Sequence, residues 1–301
     1  YETNVGEQDM KYFAISAVNE LGEGETEYAY VLTGEAYEMP FHETFPNNYN
    51  TYWWERDCDD DTYNETGGGW IASYGDVYAF TFFGIEDGWI SGQTGKISLA
   101  GAKNPTVTFD YAADVNAKVS VIVTNPEGKT LTKTFTAEKT AEMIRVKMPL
   151  ADFVGQPWVR IKVLAEFEEK GIFAFTNVNL VDLYNTDLMA LVSAPESVKA
   201  GDDINVDLGV TNLAEAANGN YTMKFYVNNE LYQEYDPKEL KFFDVDAYSL
   251  TLPTSVFAVG KTELKVVVDC AADENPANNE DKVVVEITGD DVDPVEDIKA
   301  V

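Results

Sequence analysis

Glu43, Asp57, Asp59, Asp60 and Asp61 are the densest candidate ligating oxygens in this chain of 301 residues. Four of them lie in the run Trp53-Trp54-Glu55-Arg56-Asp57-Cys58-Asp59-Asp60-Asp61, which reads as an acidic, aromatic loop. Calcium takes roughly six to eight oxygens, and closely spaced carboxylates on a loop supply them. The expected ligands of a structural calcium ion are therefore Glu43, Asp57 and Asp59, with Asp182 added from further along the chain. No glycine stands where an EF-hand loop needs its sharp turn, so this is not that motif. A solvated charged loop is the alternative reading. The run Glu274-Asn275-Pro276-Ala277-Asn278-Asn279 offers oxygens too, but asparagine and aspartate bond their own backbone and favour turns.

Trp53, Trp54 and Trp70, with Tyr49 and Tyr52, gather around the acidic run. Exposed rings beside carboxylates and amides make a sugar-binding surface, so the three tryptophans are the candidate ligand-binding residues. Packing in a sandwich core is the competing use of such rings. Catalysis finds little support. His42 is the only histidine, and there is no Gly-x-Ser-x-Gly elbow, His-Glu-x-x-His or Walker-type loop. A two-carboxylate glycosidase depends on a separation that sequence does not show. The expectation is a protein that is not an enzyme.

Composition narrows the partners. A formal charge of −32 opposes nucleic acid and anionic membrane surfaces, both of which need a basic face. Hydrophobic residues at 45% exclude a disordered chain. No apolar run approaches the roughly 20 residues that span a bilayer, so no membrane insertion is expected. Cys58 and Cys270 form no disulfide framework, and a bridge between them would need Cα atoms within roughly 7 Å. No signal peptide is visible, and the chain reads as beginning inside a domain.

The elements that position these residues are strands. Many short alternating runs with turn residues between them, and almost no helical period, give an all-β chain of tandem antiparallel sandwiches. Around one turn, Lys96-Ile97-Ser98-Leu99 reads as a strand. So does Asn104 to Tyr111, with Val107, Phe109 and Tyr111 on one face and Thr106, Thr108 and Asp110 on the other. Between Trp158 and Phe167, Val159, Ile161, Val163, Ala165 and Phe167 share one face, and Arg160, Lys162 and Glu166 the other.

Three resemblances organise the chain. Phe13-Ala14-Ile15-Ser16-Ala17-Val18-Asn19 with Gly22-Glu23-Gly24 resembles the last hairpin of a fibronectin type III domain, with Phe13, Ile15 and Ala17 turned inward; this covers residues 1–38. Phe41-His42-Glu43-Thr44-Phe45, the acidic run, Gly69-Trp70, the Asp87–Tyr111 stretch and Phe175 to Leu183 resemble the jelly rolls of cleaved-adhesin and choice-of-anchor proteins, relatives of the MAM domain. These fill residues 39–185. Such jelly rolls carry calcium in loops of this type, although asparagine stands here where the family ends on an acidic pair. Asp187-Leu188, Ala200-Gly201-Asp202, Thr211-Asn212 and Val268-Asp269 with Glu274–Asn279 resemble CARDB, the cell-adhesion-related immunoglobulin-like domain, over residues 186–289. Residues 290–301 read as an acidic linker or tail.

These resemblances imply a non-catalytic adhesion or ligand-binding module, secreted or at a bacterial cell surface. Its partner would be a host or dietary polymer, glycan or matrix protein, beside other domains of the same polypeptide. The alternative is the accessory region of a larger secreted protease or glycoside hydrolase.

Overall fold

The computed structural model describes residues 8–74 and 77–289, so the acidic tail lies outside the described residues. The chain divides into two compact units, Tyr1–Asp182 and Leu183–Val301.

The first unit begins with a hairpin, β1 (Met10–Asn19) and β2 (Gly22–Leu32), paired from Met10↔Leu32 to Asn19↔Gly22. Phe13 and Ile15 alternate as a strand should, but they are exposed, Phe13 at 51% and Ile15 at 64%. The inward turn expected for Phe13, Ile15 and Ala17 is therefore corrected: the period is real, but these side chains gain no second layer. The ribbon is tied at its base instead. The Gln8 side chain, 6% exposed, donates from Nε2 to Lys96 O at 2.8 Å and accepts from Lys96 N at 2.7 Å, pairing as a strand residue would.

The remaining strands of this unit are β3 (Phe41–Glu43), β4 (Trp54–Cys58), β5 (Gly69–Tyr74), β6 (Val77–Gly84), β7 (Trp89–Thr94), β8 (Pro105–Ala113), β9 (Ala117–Thr124), β10 (Thr130–Ala137), β11 (Thr140–Pro149), β12 (Arg160–Phe167) and β13 (Gly171–Asp182). One sheet runs β10-β9-β12-β7-β4; the other runs β11-β8-β13-β6-β5, with β3 also against β13. The fold is an antiparallel β-sandwich. Period-two alternation places Val119, Val121, Val123, Ile161, Val163, Ala165 and Ile90 of one sheet in a common core with Phe80, Phe82, Val107, Phe109, Phe173 and Phe175 of the other. Phe175 is fully buried, its ring centroid 5.4 Å from those of Phe80 and Phe82 and 6.0 Å from that of Phe109.

Two sequence expectations change here. The acidic run is not a loop: its first half is β4, and Asp60–Thr66 is a helix, α1, capped by Asp59. Lys96–Leu99 is not a strand either. Only Ile97 pairs, through single bridges to Tyr37 and Val159. On β13 the register breaks between Thr176 and Asn179, where the strand exchanges β6 for β3 as its neighbour, and Asn177 takes a left-handed φ of 50° in the bulge.

The second unit packs the sheet β14 (Leu188–Ser193), β16 (Asp203–Asn212), β19 (Val245–Pro253) with the sheet β15 (Ser197–Lys199), β21 (Glu280–Thr288), β20 (Gly260–Asp269), β17 (Thr222–Val227), β18 (Glu230–Tyr235). Ile204, Val206, Leu208 and Val210 meet Met223, Phe225, Leu264, Val266 and Val285 in its core, as the alternation predicted. The Glu274–Asn279 run serves as a turn. The Asn278 amide donates to buried Asp187 Oδ1 at 2.8 Å, and Asn275 N to Asp273 Oδ1 at 2.8 Å. Both cysteines are free.

All five tryptophans fall in the first unit, so tryptophan fluorescence reports its unfolding alone. Phe175→Ala removes the ring that both sheets share and should cost about 3–5 kcal/mol. Denaturant unfolding followed by fluorescence checks this; a loss below about 1 kcal/mol would mean the core closes around the gap.

Candidate functional site

The edge strand β4 sorts the aromatic and acidic run into two faces. Trp54 and Cys58 pair with Thr94 and Ile90 and pack against the core, whereas Arg56, opposite Gly92, is exposed. Trp54 is 9% exposed, its ring 5.5 Å from Phe45, 5.6 Å from Phe80 and 5.9 Å from Phe175. It is a core residue and not a ligand platform. The exposed Arg56 guanidinium lies 5.4 Å from the Phe80 ring centroid, and a charge on an edge strand keeps it from pairing with another chain.

Trp53, Glu55 and Asp57 have the opposite parity and face outward from the five-stranded sheet. The half-buried Trp53 is fixed at its backbone: its N–H donates to the Tyr37 hydroxyl at 3.0 Å, and its carbonyl accepts from Gly95 N at 2.9 Å. Arg160 lies over the indole at 5.6 Å. That guanidinium is itself held, Nη2 to Glu55 Oε2 at 2.8 Å and Nε to Thr94 O at 2.9 Å. The indole is thus oriented before any ligand arrives.

Trp53 lines a cleft of about 650 Å³ shared by the hairpin base and the sandwich, together with Gln8, Asp9, Lys11, Thr33, Tyr37, Asn50, Thr51 and Tyr52. One wall is aromatic: the Tyr52 ring sits edge-on to Tyr37 at 4.9 Å and 4.2 Å from Phe41. The rim is amide, hydroxyl and charge. Burial raises the Tyr37 hydroxyl's pKa, so it keeps its proton. Gly95 is required beside the cleft, because a Cβ there would stand 2.6 Å from Gln8 Oε1 and 2.9 Å from the Tyr37 ring.

The expected calcium ligands are not brought together. No group of three or more His, Cys, Asp or Glu side chains that could hold a metal ion occurs among the described residues. Backbone donors occupy three of the four carboxylates. Glu43, fully buried, accepts from Phe45 N at 2.7 Å and Tyr52 N at 3.0 Å and so shapes the loop that carries Asn50, Thr51 and Tyr52. Asp59 caps α1, accepting from Thr62 N at 2.8 Å and Trp89 N at 2.6 Å. Asp182 accepts from Lys103 N at 3.0 Å and Asn104 N at 2.7 Å. Asp57 is exposed on the outer face.

Trp70 does not join Trp53. It sits on β5 of the other sheet, 39% exposed and stacked on Phe83 at 4.3 Å. His42 on β3 binds Asn179 through Nδ1, and burial lowers its pKa, leaving a neutral ring in a polar network. Sequence reasoning missed Gln8, Tyr37, Asn50, Thr51 and Arg160 as site residues. The outward parity of Arg160 was legible, but its partner across the sheet was not.

Burial is the largest influence on Glu43 and raises its carboxyl pKa, outweighing the N–H donors that lower it. A raised folded pKa contributes stability that is full below the unfolded value of about 4.3 and is lost as pH rises through the folded value. Wild type should therefore gain stability relative to Glu43→Gln as pH falls from 7 towards 4, measured by urea unfolding. Parallel pH profiles would show that Glu43 titrates as in the unfolded chain.

No curated protein matches the chain. Among solved structures, it is similar to the cleaved adhesin domain of Lys-gingipain from Porphyromonas gingivalis (11% identity, 47% of this chain and 97% of that one, TM-score 0.35). It is similar also to the family 11 carbohydrate-binding module of a cellulosomal cellulase from Clostridium thermocellum (13%, 46% and 92%, 0.32). The CARDB domain of a Pyrococcus furiosus protein is a third such structure (20%, 34% and 95%, 0.31). Residues 185–283, nearly all of the second unit's described strands, match the CARDB family model.

Proposed function

We propose that the chain is a non-catalytic binding module for an extracellular polymer, and that the cleft at Trp53 takes a carbohydrate. The observation that carries this reading is the cleft itself: a pre-set aromatic wall of Tyr52 and Trp53 beside an amide and hydroxyl rim of Thr33, Asn50 and Thr51. A pyranose has an apolar C–H face and an edge of hydroxyls that both donate and accept. Rings answer the first, amides and hydroxyls the second. Because Arg160 and Glu55 already hold the indole, little side-chain entropy remains to be lost on binding. The overall charge of −32 favours a neutral sugar over an anionic polymer.

The module would act outside the cell or at its surface, with the CARDB-matching unit as companion domain. An accessory region of a larger secreted protease or hydrolase would use the same cleft to hold that enzyme on its polymer.

The test is affinity electrophoresis against neutral plant and microbial polysaccharides, followed by calorimetry on those that retard the protein. Trp53→Ala should cost about 2 kcal/mol or more, roughly a 30-fold loss of affinity, with unchanged unfolding. Retardation by no polysaccharide, with capture by a matrix protein instead, would assign the cleft to a protein partner.

A further inference from the structure

The outer face of the five-stranded sheet carries a second tryptophan that the cleft does not include. Pairing registers fix what shares this face. Glu55 stands opposite Gln93, which stands opposite Lys162; Asp57 stands opposite Ser91, which stands opposite Leu164. The next outward position on β7 is Trp89, opposite Glu166 on β12. Ile90 and Thr94, of the other parity, are buried at 1% and 0%. One face therefore runs from Trp53 through Glu55, Gln93 and Lys162 to Trp89, with Ser91 at 2% exposure closed off from solvent.

Trp89 is half-buried, and no aromatic ring or cation is seated on it among the described residues. Its backbone is clamped by Asp59, whose carboxylate accepts from Trp89 N at 2.6 Å and whose own N–H donates to Trp89 O at 3.4 Å. The carboxylate expected as a metal ligand thus fixes the backbone of a half-buried tryptophan on the outer face of the sheet. Trp53 and Asp59 flank β4 six residues apart, and strands rise about 3.3 Å per residue, so the two indoles mark the ends of roughly 20 Å. Charges between and beside them are mixed and largely paired, Arg160 with Glu55 at 2.8 Å and Lys118 with Glu166 at 2.7 Å. A face of donors and acceptors with little net sign, closed by a ring at each end, suits a neutral chain of several linked sugars.

A merely solvated sheet face accounts for the charged positions. It does not account for a tryptophan outward on β7, where a polar residue would meet water at no cost.

We propose that this face is a binding track that reads an internal stretch of an uncharged, extended polysaccharide, with Trp53 and Trp89 as its two stacking platforms. The proposal rests on the carbohydrate reading of the Trp53 cleft and adds to it the length and neutrality of the ligand.

Calorimetry with neutral cello-, xylo-, manno- and galacto-oligosaccharides, from disaccharide to hexasaccharide, tests it. For the series that binds, affinity should climb with length. Trp89→Ala should weaken the hexasaccharide about tenfold and leave the disaccharide unchanged, while Trp53→Ala weakens both. Gln93→Ala, a milder change in mid-track, should also act on long ligands only. Equal affinity for short and long ligands, untouched by Trp89→Ala and Gln93→Ala, would overturn the track and leave the Trp53 cleft standing. Binding of none of the four series, with polysaccharides also silent, would overturn both.

Discussion

The burial of Trp54 is the constraint on which the outer face depends. Two adjacent tryptophans on a strand cannot both go inward, because successive side chains point to opposite faces. Trp54 goes in among Phe45, Phe80 and Phe175, so Trp53 must go out. A one-residue slip of β4 would exchange the two and turn Glu55 and Asp57 towards the core, which desolvation forbids. Gly92 shows how closely the register is held: a Cβ there would stand 2.5 Å from the Phe80 ring.

A second constraint is how this chain uses its acids. Glu43, Asp59 and Asp182 each gather two or more N–H donors from irregular backbone. An ionised carboxylate accepts in several directions at once, so it can stand in for missing strand neighbours where loops cross the ends of a sandwich. Glu43 thereby shapes the loop beneath Tyr52, and Asp59 holds Trp89.

Much of the fold was legible in residue order. The alternation of Val159 to Phe167 and of Ile204 to Val210 named the core faces, because burial imposes the period; Val107, Phe109 and Tyr111 also face the core, but Thr106, Thr108 and Asp110 on the other side of that strand are buried as well. The same period misled at Phe13 and Ile15, where a ribbon alternates without a facing sheet. The site was half legible. Trp53 was named by type and lines the cleft, but Trp54 and Trp70 were grouped with it because nearness in sequence says nothing of parity or sheet. Gln8 reaches the cleft, and Arg160 and Trp89 the outer sheet face, through pairings that only the folded chain defines.

The most direct measurement of the central claim is a titration of the five indole N–H resonances with a neutral hexasaccharide, by nitrogen–proton correlation. The Trp53 and Trp89 signals should move together and saturate at one ligand concentration, while Trp54, closed in the core, stays in place. Movement of Trp70 alone, or of Trp53 with Trp89 still, would contradict a track on the five-stranded sheet.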